Sequence, residues 1–334
     1  MFTYEYTYSQ LLGTISTDQF QAALDRFGLG KFLHAEPIPF GLSKRNIFLT
    51  STSGQYILRG SPHHPDQFYR EQFFARKLHE RTCVPVPWPY LIDSTKDIFS
   101  WSYAIMPRMP GLQLADSTVK RYLPEEERRG IACALGQNLV RMQDLTWPFC
   151  GEYNGETGTI QPFNLSYGQW IVARIRRNLA RSREYSDRTT PTDVRWVEEL
   201  IAEAQDALAL PFQPVFLMQD YKESNVVVEH KDERWQVSGV FDLTHAHFGD
   251  GEADLARSIA VYLDENPALA REYLQAYMNE RPFRTGFTRR FPIYMLDDRL
   301  QAWAFSQQIG RVEWDPQWTL REWAGRYVSI DWFQ

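Results

Sequence analysis

The stretch from residue 216 to residue 257, FLMQDYKESNVVVEHKDERWQVSGVFDLTHAHFGDGEADLAR, leaves this chain few choices of fold. Apolar Val215, Phe216, Leu217 and Met218 run into Asp220. Asn225 follows, then Val226, Val227 and Val228, a charged turn from His230 to Arg234, and a second apolar run from Val237 to Phe241 that stops at Asp242. Short β-branched runs bounded by polar turns predict a β-hairpin with an acidic residue at each exit. Asp220, Asn225 and Asp242 would then stand on loops beside one small sheet. A single Asp or Asn at a turn is ordinary turn chemistry. A D-x-x-x-x-N spacing, an apolar strand and a further Asp at its end are hard to obtain that way.

Two carboxylates and an amide in this order suit phosphoryl transfer. One carboxylate accepts the proton of a hydroxyl, while the amide and the second carboxylate hold Mg²⁺ on a nucleotide. Mg²⁺ takes few protein oxygens and leaves its other positions to water and phosphate. The residues from Asp220 to Ala256 resemble the aminoglycoside phosphotransferase and choline kinase-like family. Its signature is close to H-G-D-x-H-x-x-N, a strand ending in Asp, then G-D-x-x-x-D-L-A. The resemblance puts Asp220 in the slot of the catalytic base and Asn225 and Asp242 in the two metal slots, with Gly249, Asp250, Asp254, Leu255 and Ala256 matching the last element. Met218 and Gln219 stand where His and Gly are usual. Lys222 fills a slot that holds lysine in many protein kinases, which makes it a second catalytic candidate.

The rest of the chain is compatible with such an enzyme. Its 334 residues suffice for one large domain or two lobes. A formal charge of −6 does not favour a nucleic-acid surface. Cys83, Cys133 and Cys150 have no metal-ligand spacing, and an odd number argues against a full disulfide framework. No segment is long and apolar enough to span a membrane, and the first ten residues lack the basic and apolar regions of a signal peptide, so a cytoplasmic protein is expected. There is no G-x-x-x-x-G-K-[ST], which argues against a P-loop fold.

In chain order, residues 17–28 predict a helix, residues 36–50 two strands around Gly41, and residues 54–60 a third strand joined through the Ser51–Gly54 turn. In the family the Gly41 turn covers the nucleotide phosphates, so Gly41 and Ser43 are candidate contacts. Arg59 takes the place of a strand lysine that meets phosphate, and Glu71, early in a helix over 66–80, takes that of the glutamate bracing it. Proline-punctuated 84–92 predicts an extended connection, Phe99–Met106 a strand, and Pro107–Gly111 a lobe boundary. The resemblance implies that backbone near Met106 and Met109 reads the adenine edge. Helices are predicted from Pro124, over 166–183 with a solvated basic face, over 191–208, and near 254–264, 267–279 and 294–309.

The expected fold is α+β and protein-kinase-like, with a small β-rich lobe over residues 1–108 and a mostly helical lobe over 109–334. The function the resemblance implies is phosphoryl transfer from ATP or GTP, with Mg²⁺, to a small hydroxylated molecule of the aminoglycoside type. A metabolic kinase for choline, homoserine, a sugar or a ketosamine is the alternative, followed by a non-catalytic nucleotide-binding module. Acidic Asp250, Glu252 and Asp254 would favour a cationic acceptor, although Asp254 is also placed to cap and fasten a helix. His245 and His247 lack the third partner that a metal pair would need.

Overall fold

A capping box starts the first helix: the Ser16 hydroxyl accepts the Gln19 N–H at 3.2 Å and the Gln19 side chain accepts the Ser16 N–H at 3.0 Å. The computed structural model describes residues 5–9, 12–38 and 45–331. Along the chain run β1 (Glu5–Ser9), β2 (Gly13–Ser16), α1 (Thr17–Arg26), β3 (Phe32–Pro37), β4 (Asn46–Ser51), β5 (Gly54–Gly60), α2 (Gln67–Arg81), β6 (Leu91–Asp93), β7 (Tyr103–Pro107), β8 (Leu112–Gln113), α3 (Ser117–Tyr122) and α4 (Glu125–Met142). They are followed by β9 (Gly151–Asn154), β10 (Thr159–Pro162), α5 (Tyr167–Tyr185), α6 (Pro191–Leu208), β11 (Val215–Leu217), β12 (Val226–Lys231), β13 (Arg234–Val240), β14 (His247–Gly249), α7 (Leu255–Glu265), α8 (Pro267–Glu280), α9 (Phe287–Gln308) and α10 (Leu320–Val328). No helix among the described residues is long and apolar enough to cross a membrane.

The chain forms two compact units. The first gathers residues 1–124, 153–159 and 223–246. Its main sheet has the order β3-β4-β5-β7-β6 and a smaller one the order β13-β12-β8. Strand alternation divides β5 between two cores. Leu58 packs with Phe20, Leu24 and Ile47, while Ile57 faces the cluster of Phe68, Tyr90, Ala104 and Met106. The buried stripe of α2 reads Gln67, Phe68, Glu71, Phe74, Ala75 and Leu78, so a glutamate occupies a core position. Two glycines let the connector after β7 lie against β12 and β13. A Cβ on Gly239 would meet the Met109 Cβ at 2.5 Å, and one on Gly111, at φ +121°, would meet the Val228 carbonyl oxygen at 2.7 Å. The Ser238 hydroxyl donates to the Pro110 carbonyl at 2.6 Å, and β8 then pairs with β12 at Val227 and Val228.

The second unit gathers residues 125–152, 160–222 and 247–334. It is built on helices α4 to α10 and a sheet of order β10-β9-β14-β11. Capping boxes begin α5 at Ser166, α6 at Thr190 and α10 at Thr319.

Several expectations change. The strand expected over Phe99–Met106 begins only at Tyr103, because Phe99 and Trp101 stack at 4.4 Å as a core plug. Leu91–Asp93, inside the expected connection, pairs with β7. The α5 face is not all solvated: Arg174 is buried against Asp297. The single sheet expected around Asp220, Asn225 and Asp242 is two. β11, which precedes Asp220, pairs with β14, whereas β12 and β13 pair with each other.

Candidate active site

The first unit assembles a cation and two carboxylates. Arg59 leaves β5 on the Ile57 face, toward α2, and its Nη1 donates to Glu71 Oε2 at 2.9 Å. Its Nη2 donates to Asp242 Oδ1 at 3.2 Å. Glu71 is fully engaged: Tyr90 Oη donates to it at 3.1 Å and Gln67 Nε2 at 3.2 Å. The Thr244 hydroxyl oxygen lies 2.7 Å from Glu71 Oε1 and 2.8 Å from Asp242 Oδ1, one proton for two acceptors. Exposure separates the roles: the Glu71 side chain is 3% exposed and that of Asp242 39%. Asp242 Oδ2 accepts no hydrogen bond from the described residues. Glu71 is the buried brace and Asp242 the group that can take a further ligand.

Electrostatics follow this division. Burial pushes the Glu71 carboxyl up, against the pull of Arg59. Burial acts the same way on Asp242, but Arg59 and the Thr244 hydrogen bond outweigh it and hold that carboxyl below its ordinary value. Burial would weaken the Arg59 cation; Glu71 and Asp242 overcome it and hold the guanidinium charged.

Asn225 closes a 3₁₀ turn, Glu223–Asn225, immediately before β12. Its carbonyl accepts the Phe241 N–H at 3.1 Å, which continues the Val226–Val240 pairing and brings Asn225 and Asp242 to the same end of the hairpin. Asp242 has φ +69°, a left-handed backbone that non-glycine residues seldom adopt and that clusters at ligand sites. A carboxylate with an unspent oxygen beside an amide is a hard-oxygen donor set, and it fits Mg²⁺. No group of three or more His, Cys, Asp or Glu able to hold a metal exists among the described residues, so the donors do not form an all-protein cage.

Of the other nucleotide candidates, Gly41 and Ser43 lie outside the described residues. Met106 pairs with Ile57 across β5 and β7 and is buried. Met109 lies in the connector against Gly239.

The second unit presents Asp220. After β11, Met218 is fully buried and Gln219 has φ +66°. The turn is anchored by Asp254, whose two oxygens accept the Met218 N–H at 2.8 Å and the Gln219 N–H at 2.6 Å. These bonds go to the backbone, so residues other than His and Gly are compatible with this support. Asp254 makes no cap bond to α7, contrary to expectation; it fastens the turn before Asp220. Burial, with Asp220 and Asp298 nearby, pushes its carboxyl up to about 7.

Lys222 Nζ reaches both Asp220 oxygens, at 2.8 and 2.9 Å, and Arg257 Nε lies 3.2 Å from Oδ1. Asp250 and Glu252 are 2% and 4% exposed and already paired, which removes them as sites for a cationic ligand. Tyr294 Oη donates to Asp250 at 2.6 Å, Arg284 pairs with Asp250, and Arg290 reaches Glu252 at 2.7 Å. Thr244, Gln67, Tyr90 and Arg257 are not identified by the sequence. Only Gln67 carries a signal there, a polar residue one turn before Glu71 on the same helix face.

The model of a family described as "Phosphotransferase enzyme family" matches residues 34–287. A comparison with curated proteins gives no match. Among solved structures, the chain is similar to a thermostable mutant of aminoglycoside phosphotransferase APH(4)-Ia in complex with ADP and hygromycin B. That match has 20% identity and a TM-score of 0.67, and covers 92% of this chain and 95% of the other. It is also similar to a Thermobifida fusca protein provisionally named fructosamine-3-kinase, with 19% identity, a TM-score of 0.60 and coverage of 92% and 98%. A GDP complex of an aminoglycoside 2′-phosphotransferase IIIa mutant matches with 12% identity and a TM-score of 0.60, covering 86% and 89%. These likenesses establish the kinase-like α+β fold.

Proposed function

The chain belongs to the phosphotransferase enzyme family, and from that premise we propose that it transfers the γ-phosphoryl group of ATP to an alcohol hydroxyl of a small molecule. The observation that carries the reading is the Arg59, Glu71 and Asp242 cluster, with Asn225 at the same end of the hairpin. In this reading residues 1–108 form the nucleotide lobe and residues 109–334 carry the catalytic loop and acceptor groups. Arg59, held by Glu71, meets phosphate charge. Gly41 and Ser43 cover the phosphates, and the backbone at Met106 and Met109 meets the base. Asn225 and Asp242 would hold Mg²⁺, whose charge neutralises phosphate oxygens when bound. Asp220 orients the acceptor hydroxyl and receives its proton, and Lys222 holds that carboxylate in place. With a loose transition state, positioning and charge do most of the work.

ADP in one similar structure supports ATP as donor, and GDP in another keeps GTP as the second donor to test. An aminoglycoside acceptor is supported by the hygromycin B complex. A metabolic acceptor is supported by the likeness to the protein provisionally named fructosamine-3-kinase, and by the cations that surround Asp220. Placement in the cytoplasm belongs to the same proposal.

The test is Asp220→Asn, which keeps size and polarity and removes the proton acceptor. Nucleotide titration should be little changed, and single-turnover transfer should fall by about two to four orders of magnitude. Transfer at the normal rate would remove Asp220 from the chemistry.

A further inference from the structure

The charge around Asp220 is already matched. Arg257, besides meeting Asp220, reaches Asp298 Oδ1 at 3.0 Å. Asp298 also accepts from Arg299 Nε at 2.9 Å. Its neighbour Asp297 accepts from Arg174 Nε at 2.8 Å, and Arg174 is fixed from its other side by the Trp170 ring, 4.3 Å away. Asp254 is spent on two backbone amides. Exposure adds a direction to this pattern. Lys222 and Arg257 side chains are 28% and 21% exposed, Asp297 and Asp298 only 5% and 7%. Apart from Asp220 itself, the charge of this group that meets solvent is positive.

We propose, resting on the phosphotransferase reading, that the acceptor served by Asp220 is a neutral or anionic hydroxy compound, such as a sugar, polyol or hydroxy acid, and not a polyamine. An ammonium group that leaves water needs a carboxylate to replace its hydration. Here each carboxylate has a cation or two amide donors, so a polycation would have to break ion pairs while approaching Lys222 and Arg257. Burial, with Asp220 and Asp298 nearby, pushes the Asp254 carboxyl up to about 7, which lowers the negative charge that this residue carries near neutral pH. Neutral hydrogen-bonding groups are at hand instead. The Gln219 amide donates to Gln301 Oε1 at 3.3 Å, a long bond that a hydroxyl can replace, since an amide both donates and accepts.

The experiment uses the full chain saturated with Mg²⁺ and a non-hydrolysable ATP analogue. Kanamycin, the polycationic probe, is titrated calorimetrically at about 50 mM and about 300 mM salt, which changes the screening of exposed charge. The expected result is no saturable binding below about 1 mM at either salt concentration. Micromolar binding that weakens by about tenfold or more at the higher salt would overturn the proposal. A transfer screen with labelled ATP should mark sugars, polyols or hydroxy acids; label on aminoglycosides alone would also overturn it. Thermal stabilisation by Mg²⁺ and the analogue reads the underlying phosphotransferase assignment separately. Its absence would sink that assignment, and the proposal with it, whatever kanamycin does.

Discussion

Replacing Asp254 by asparagine tests the anchor beneath Asp220 through its dependence on pH. The Asp254 carboxyl has its pKa pushed up to about 7 in the fold, from an ordinary value of 3.8. Between those values the folded chain holds a proton that the unfolded chain has released, so stability falls as pH rises. About three units correspond to about 4 kcal/mol at most, of which about 2–3 kcal/mol is lost between about pH 5 and pH 8. An asparagine side chain cannot ionise, so in Asp254→Asn that component of the slope should vanish. The variant also loses one of two acceptors facing the Met218 and Gln219 N–H groups, which costs about 1–3 kcal/mol. At pH 5 it should therefore be the less stable protein, and by pH 8 the gap should close or reverse. Urea unfolding of both proteins across this range measures the difference directly. Parallel stability curves would refute the reasoning, because they would mean that Asp254 is ionised throughout. Turnover gives a second reading: the variant should lose activity at pH 8, where its stability is not the limit.

Asp242→Ala should abolish turnover and weaken Mg²⁺-nucleotide binding; near-normal activity at saturating Mg²⁺ would rule out the metal role. Arg59→Ala should raise the KM for nucleotide and lower kcat, while Arg59→Lys keeps the charge but cannot reach Glu71 and Asp242 with two separate nitrogens of one fork. A double-mutant cycle with Glu71→Ala should show a coupling of about 1–3 kcal/mol, and fully additive losses would mean that the pair does not act together. Gly239→Ala forces a Cβ to 2.5 Å from that of Met109 and should cost about 1–3 kcal/mol, read as a lowered urea midpoint; an unchanged midpoint would show that the connector gives way freely.

The parts legible in the sequence are those written in periodicity and in local spacing. Glu71 is picked out by the family resemblance, one turn into the helix that follows the strand cation Arg59, and in the fold it occupies that helix's buried stripe. Asn225 and Asp242 fall at the ends of apolar runs, and the β12–β13 pairing does put them at one end of a hairpin. What stays hidden depends on partners far along the chain or on the backbone. The support given by Asp254 to Met218 and Gln219 runs through amide N–H groups, which leave no trace in residue type. Arg174 reads as one of many solvated arginines because Asp297 lies on another helix. Phe99 and Trp101 read as strand because a stacked aromatic plug has the composition of one. The final helix is missing from the sequence reading although Thr319 and Glu322 carry a capping-box spacing.

The clasp between the connector and the β12–β13 hairpin decides where this protein can be cut. Residues 223–246 follow the acid-bearing turn in the chain but pack with residues 1–124. A fragment ending at residue 124 would retain β5 and α2 but leave Arg59 with one of its two carboxylates, and β8 without the edge it pairs with. The connector glycine Gly111 would lose the Val228 carbonyl it lies against, and Met109 would lose the glycine it packs against. A minimal piece that keeps the Arg59 cluster whole must therefore join the hairpin back to the N-terminal segment, by a linker or as a second peptide. Permuted chains that keep this join should fold more readily than any simple truncation.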